Sequence, residues 1–291
     1  MRSRSITSLV PLLAPVHILI LSVIVLPSIY VVWLSLNASS FGQEPTFVGL
    51  RNYIDTISDP AFRSALWNTV VLVVVAVHVE LVIGLGMALL FASGLPFRRV
   101  LLVAVLAPYA VSEVIAVVMW RFLFDPDVGP VTQALLSLGL PTLDWSFEPS
   151  HAMILIALLT IWLHLPFTFI ILYAARLAIP ADLYEAARID GATPWQAFRR
   201  VTLPLLGPAV IVALLFRYIF AFRIFSEVWL LTQGGPARST EVVAVYLYQE
   251  AFSYNAFGSA AATAWIMVLA SLLLASGYVF ILRRQVAANA R

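Results

Sequence analysis

The sequence predicts an all-α membrane protein that crosses the bilayer six times. Of its 291 residues, 62% are hydrophobic and 11% are charged, and the mean hydropathy is +0.97. Such values are typical of a polytopic membrane protein and not of a soluble domain. Polar segments separate six apolar runs, and each run is long enough for a helix of about 20 residues. The runs cover approximately residues 9–36, 65–92, 100–120, 151–173, 204–231 and 258–282.

The first apolar run allows two interpretations. A cleaved signal peptide would have a shorter apolar region with a small-residue cleavage site close behind it, whereas this run continues to about residue 36. We interpret it as a retained first span, followed by a polar external loop. We therefore expect two regions, with the first span and its loop in residues 1–64 and the transmembrane core in residues 65–291.

Two later runs have features of their own. Pro108 predicts a kink in the third span, because proline removes a backbone hydrogen bond from a helix. The fifth run, residues 204–231, is too long for one untilted crossing, so we expect it to tilt or to line a cavity at one end.

The arginines predict the orientation, because cytoplasmic loops of membrane proteins are enriched in basic residues. If both termini are cytoplasmic, the outer loops receive most of the acidic residues and only Arg51, Arg63, Arg121 and Arg238. The inner face then receives Arg2, Arg4, Arg98, Arg99, Arg176, Arg188, Arg199, Arg200, Arg283, Arg284 and Arg291. This arrangement places residues 179–204 in the cytoplasm.

Composition excludes several functions. There is no cysteine, which excludes disulfides and thiolate chemistry, and there is no lysine, which excludes a P-loop ATPase on this chain. The basic residues form short clusters beside apolar runs and no stripe, so no nucleic-acid partner is expected. His17, His78, His151 and His164 are far apart in sequence, and no metal site is predicted.

Residues 179–204 combine helix-forming residues with abundant charge, unlike the rest of the chain. Pro180 and Asp182 suit a first helical turn, and Gly191 suits a left-handed stop. Thr193 and Pro194 suit an N-cap and a first helical position. We therefore predict two short helices. They contain too little material for a core of their own, so their exposed side should dock on a partner.

This segment also carries a family resemblance. Glu185-Ala186-Ala187, Gly191 and Val201-Thr202-Leu203-Pro204 resemble the coupling signature of ABC importer permeases, with Val201 where that family most often has Ile. Residues 47–53, 120–129 and 232–236 resemble loops of its carbohydrate branch, so the similarity covers most of the chain. Ala175-Arg176 departs from it, since the family more often has Gly-Leu there.

The resemblance implies the type I ABC importer transmembrane fold in a prokaryotic plasma (inner) membrane, with multiple spans. It implies four kinds of partner: a second homologous permease subunit, two ATPase subunits, an extracytoplasmic substrate-binding protein and a carbohydrate substrate. ATP and Mg would be bound by the ATPase subunits, with no cofactor on this chain. The residues that the resemblance assigns to ATPase coupling are Glu185, Ala186, Ala187, Asp190 and Gly191.

Ionisable residues inside predicted spans are costly, at about 2.5–3.5 kcal/mol each, and should face a cavity or a partner. Arg223 and Glu227 are four residues apart, so either they pair with each other on one helix face or they line a cavity. Arg217 has no acid near it in sequence, so it should face a polar cavity or a helix of another subunit. Of these, we expect it to serve the translocation cavity. Aromatic rings beside fixed polar groups suit a sugar. The predicted substrate path comprises Glu113, Arg217, Phe222, Arg223, Glu227 and Trp229.

Other functions remain open at this point. An ion-coupled secondary transporter would use acids such as Glu80 or Glu113 near the midplane. A membrane-embedded hydrolase would need a nucleophile and a base at helical spacing, and no such pair is present. An ABC permease for a non-sugar solute such as glycerol phosphate is also consistent with the sequence, which does not identify the solute.

Overall fold

The computed structural model describes residues 10–289, and nearly all of its secondary structure is helical. All six apolar runs form helices, although two of them are interrupted. One two-residue antiparallel pair of strands, Asn37–Ala38 with Thr46–Phe47, lies in the polar segment after the first run. The helices are α1 (Val10–Ile20), α2 (Leu26–Ser35), α3 (Arg51–Ser58), α4 (Pro60–Ala92), α5 (Arg98–Ala110), α6 (Glu113–Leu123), α7 (Pro130–Ser137), α8 (Pro149–Leu177), α9 (Ala181–Ile189), α10 (Pro194–Ala197), α11 (Leu203–Ala221), α12 (Ser226–Thr232), α13 (Val243–Tyr248) and α14 (Phe257–Asn289).

Within residues 10–289, five helices are long and apolar enough to cross a membrane, and a sixth span results if α5 and α6 are counted together. Short π-helical segments join α1 to α2 and α10 to α11, so each of these pairs is continuous. The five helices cover Ala14–Ser35, Pro60–Ala92, Pro149–Leu177, Pro194–Ala221 and Phe257–Gly277. Arg2, Arg4 and Arg291 lie outside the described residues.

The third predicted span is broken and not simply kinked. Helices α5 and α6 meet at an angle of 101°. The chain becomes extended at Val111 and Ser112, with ψ angles of 139° and 133°, three residues beyond Pro108. The expected kink at Pro108 itself was therefore misplaced, since the helix continues through the proline to Ala110.

The fifth run is also divided, and this explains its excess length. Helix α11 ends at Ala221, and α12 begins at Ser226 after a four-residue turn. The residues at the C-terminal end of this run thus form a separate short helix.

The chain separates into two compact units. Among the described residues, the first comprises 10–62 and 246–266, and the second comprises 63–245 and 267–289. In the first unit, the Asn52 side chain donates to the carbonyls of Ser35 and Asn37 at 2.8 and 2.9 Å, which ties α3 to the strand pair. Gly258 packs against the same strand, where an added Cβ would lie 2.2 Å from the Asn37 carbonyl oxygen.

In the second unit, α8 lies at the centre of the packing. One apolar cluster joins α8 to α6 and α12 through residues such as Leu159 and Val228. Another joins α8 to α4 through Phe91 and Phe169. Gly84 allows the close approach of these two helices, because a Cβ there would lie 3.3 Å from the Phe169 backbone nitrogen. This close packing determines which neighbouring side chains the polar residues of α4 and α8 can contact.

Candidate functional site

The predicted coupling segment forms one short helix followed by a tight turn. Helix α9 runs from Ala181 to Ile189, with Pro180 as its N-cap and not in its first turn. Gly191 has a φ of +74°, the left-handed conformation that glycine adopts without steric cost. This stop is confirmed.

The second helix begins as predicted but is not short. Thr193 forms a capping box with Gln196, in which the Thr193 side chain accepts from the Gln196 amide and the Gln196 side chain accepts from the Thr193 amide. Helix α10 then continues into α11, so this segment is the start of the Pro194–Ala221 span. The prediction of a second short helix was wrong, because the apolar sequence after Pro204 extends the same hydrogen-bonded ladder.

The outward side of α9 is exposed and partly apolar. Glu185 and Ala186 are exposed, and Glu185 is 3.8 Å from Arg188. Ile189 is 87% exposed. Sequence reasoning missed Ile189, although its place in the segment was known. An exposed small, acidic and apolar surface on a helix of nine residues suits docking on a partner.

The inward side of α9 is anchored to the span helices. The Tyr184 hydroxyl lies 2.9 Å from the hydroxyl of Thr202, which is buried in the π-helical segment before α11. The Arg176 guanidinium, at the end of α8, lies 4.3 Å from the centre of the Tyr184 ring. A displacement of α9 would therefore act directly on α8 and α11.

The best-defined charged pair inside the spans joins α4 to α11. The Arg217 Nε and one terminal nitrogen donate to the two Glu80 carboxylate oxygens at 2.6 and 2.8 Å. Glu80 is fully buried and Arg217 is 3% exposed. Arg217 has no acid near it in sequence, as noted above, and its partner in the structure is 137 residues away.

A second polar contact joins α8 to α12. His164 Nε2 lies 3.2 Å from Oε1 of Glu227, which is 2% exposed. The other Glu227 oxygen has no hydrogen-bond partner among the described residues. The alternative that Glu227 pairs with Arg223 was wrong, because the turn between α11 and α12 separates them and leaves Arg223 exposed.

The remaining predicted path residues divide by burial. Glu113, the first residue of α6, is exposed and lies near Glu227 and Ser226. Trp229 is half-buried and stacks on Phe225, with 6.0 Å between ring centres. Phe222 is fully buried in the apolar contact of α11 with α4. The structure thus brings Glu113 and Glu227 together and encloses Phe222 and Arg217 in the packing.

Sequence reasoning missed the role of His164. It treated the histidines as isolated, and His164 is 63 residues from Glu227. No pattern in the neighbouring sequence indicates this contact. No group of three or more histidine, aspartate or glutamate residues suited to a metal ion occurs within residues 10–289.

Comparison with known families identifies the chain. The profile of the family described as "Binding-protein-dependent transport system inner membrane component" matches residues 80–287. The chain belongs to this family. It is therefore a permease of a binding-protein-dependent transport system.

Named relatives match over nearly the whole chain. The trehalose/maltose transport system permease protein MalF of Thermococcus litoralis is 36% identical over 266 residues, which are 91% of this chain and 89% of that protein. The sulfoquinovosyl glycerol transport system permease protein SmoG of Agrobacterium fabrum is also 36% identical, over 94% of this chain and 89% of its own length.

A solved structure confirms the fold. A bacterial ABC transporter that imports the acidic polysaccharide alginate contains a chain that matches with a TM-score of 0.83 at 24% identity. The match covers 94% of each chain. The predicted type I ABC importer transmembrane fold is thus confirmed, while the cytoplasmic position of α9 stays a prediction.

Proposed function

We propose that this permease forms half of the translocation pathway of an ATP-driven carbohydrate importer and couples that pathway to a separate ATPase. Family membership and relatives named for disaccharide and glycoside transport support the carbohydrate class. A second homologous permease would form the other half of the pathway. Two ATPase subunits would bind ATP and Mg²⁺, and an extracytoplasmic binding protein would deliver the sugar.

The observation that carries the coupling role is the position of α9. Its outward side presents Glu185 and Ala186, while its inward side is held to α8 and α11 by Tyr184. A movement of an ATPase against the outward side would be transmitted to two spans, because the inward contacts leave α9 little freedom. Ala187, Asp190 and Gly191 complete the docking segment, in which Gly191 permits the turn.

The proposed substrate path changes with the structure. Glu113, Arg223, Glu227 and Trp229 stay in it, because Glu113 and Arg223 are exposed and Glu227 retains an unused oxygen. Arg217 and Phe222 are enclosed in packing between α4 and α11, so we assign them a structural role. Acceptor oxygens beside aromatic rings suit the hydroxyl groups and apolar faces of a sugar.

The orientation that this function requires has both termini and α9 in the cytoplasm, within a prokaryotic inner membrane. The arginine distribution supports it, since Arg98 and Arg176 lie at the same ends of the spans as α9, which itself carries Arg188.

Reconstituted vesicles test the coupling role. Glu185→Lys should reduce ATP-driven uptake of trehalose or maltose and uncouple it from ATP hydrolysis, because a positive charge replaces the acid at the proposed contact. The matched control is Glu44→Lys, the same charge change at an exposed residue of the predicted outer loop. The control should keep hydrolysis coupled to uptake. Unchanged uptake with Glu185→Lys would remove the coupling role.

Substrate choice tests the carbohydrate class separately. Uptake of labelled disaccharides and of glycerol phosphate is compared in vesicles that contain the partner binding protein. Transport of glycerol phosphate alone would contradict the sugar assignment and leave the permease assignment intact.

A further inference from the structure

A groove with a volume of about 830 Å³ lies beside the inward side of α9. Three spans contribute to it at the same end: Leu89 from α4, Arg176 from α8 and Trp195 from the α10–α11 helix. Helix α9 contributes Tyr184 and Arg188. The groove therefore lies at the ends of three predicted spans.

The lining is apolar inside and basic at the rim. Leu89 and Phe198 form apolar wall, and Trp195 stacks on Phe198 while its side chain remains 67% exposed. Tryptophan and tyrosine are enriched at membrane interfaces because each ring has an apolar body and a polar group. Such a groove matches an acyl chain next to a headgroup better than it matches a water-soluble ligand.

The charge at the rim identifies the headgroup. Arg176 lies over the Tyr184 ring and forms no ion pair within the described part of the chain. Arg188 is 75% exposed and only 3.8 Å from Glu185, so that pair is loose. Within the described part of the chain, neither guanidinium forms an ion pair with a buried acid. Phosphate oxygens suit the N–H donors of such groups.

The groove lies on a different face of α9 from Glu185, the acid of the proposed ATPase contact. Tyr184 and Arg188 are four residues apart and share one face of α9. Glu185 and Ile189 are also four apart and point about 100° away from that face. An ATPase on the outward side leaves the groove to another occupant.

We infer that this groove binds an anionic phospholipid of the inner leaflet, with the phosphate at Arg176 and Arg188 and an acyl chain along Leu89 and Phe198. Basic pockets between membrane helices on the cytoplasmic side are the type of site that holds anionic headgroups. Because Tyr184 forms part of the wall, a bound lipid stabilises α9 against α8 and α11.

Fluorescence quenching by brominated lipid tests this inference without sugar or ATP. The permease is purified with its partner subunits and placed in nanodiscs of phosphatidylcholine that contain either brominated phosphatidylglycerol or brominated phosphatidylcholine. The signal of Trp195 is obtained by subtracting that of Trp195→Phe. We expect brominated phosphatidylglycerol to quench Trp195 more strongly than brominated phosphatidylcholine at the same mole fraction.

Two double variants locate the charge. Arg176→Gln with Arg188→Gln should abolish the preference, with roughly fivefold weaker phosphatidylglycerol binding per arginine. Arg199→Gln with Arg200→Gln removes the same charge from exposed residues outside the groove and should keep the preference. Size-exclusion profiles establish that each variant is assembled.

Three results would overturn the inference. Equal quenching by the two lipids removes anionic selectivity, and equal loss in both double variants reduces the effect to general surface charge. Quenching in the isolated permease but not in the assembled complex assigns the groove to a protein partner. Excess free glycerol phosphate should not relieve quenching, because the acyl chain contributes to binding. None of these outcomes depends on the transported solute.

Discussion

The buried pair of Glu80 and Arg217 gives the sharpest quantitative prediction. Replacing Arg217 by methionine leaves a fully buried carboxylate without its bidentate partner. Removing one member of a buried ion pair costs about 3–5 kcal/mol, since the remaining charge stays away from water. We therefore expect Arg217→Met to lower the free energy of unfolding by about that amount and to reduce the yield of assembled complex.

A double replacement distinguishes the contribution of the ion pair to stability from that of the apolar packing around it. Glu80→Leu with Arg217→Met removes both charges, and apolar replacement of a buried pair is often neutral or stabilising. The double variant should therefore lie within about 1 kcal/mol of the wild type. Equilibrium unfolding in mixed micelles measures the stability of the wild type, Glu80→Leu, Arg217→Met and the double variant. The double-mutant cycle then gives the coupling energy between the two residues.

A control and two refuting outcomes complete this test. Arg51→Met breaks an exposed pair with Asp55 at 3.5 Å and should change stability by less than about 0.5 kcal/mol. If Arg217→Met is as stable as the wild type, or the double variant is as unstable as the single one, the pair does not hold α4 against α11. A stable double variant that fails to transport would return Arg217 to the substrate path.

The remaining predictions concern topology and glycine packing. A single cysteine that replaces Asp190 should be protected from impermeant reagents in sealed cells, whereas one that replaces Phe147, which is 80% exposed, should react. The native chain has no cysteine, so the labelling is specific. Labelling at position 190 would show that the orientation is the reverse of the predicted one. Gly258→Ala should lower the melting temperature, because the added Cβ would meet the Asn37 carbonyl in the first compact unit. Gly86→Ala is the control, since Gly86 has open space around it, and it should melt at the temperature of the wild type. Equal melting temperatures for the two variants would contradict the packing described for Gly258.

Residue patterns close together in sequence were enough to predict most of the architecture. A bilayer requires long apolar helices, so runs of apolar residues identify the spans without knowledge of their neighbours. The Gly191 turn and the Thr193 cap depend on residues within one or two helical turns, and both are present as predicted. The only sequence signal for the break between α11 and α12 was the excess length of the fifth apolar run.

Only the tertiary structure decided which buried charges meet. Glu80 pairs with Arg217, which is 137 residues away in sequence, and Glu227 contacts His164, which is 63 residues away. Helical periodicity relates residues three or four apart, so it offered Arg223 as the partner of Glu227 and none for Arg217. The actual partners follow from the packing of α4 and α8 against α11 and α12, because burial away from water requires each charge to meet a polar group on a neighbouring helix.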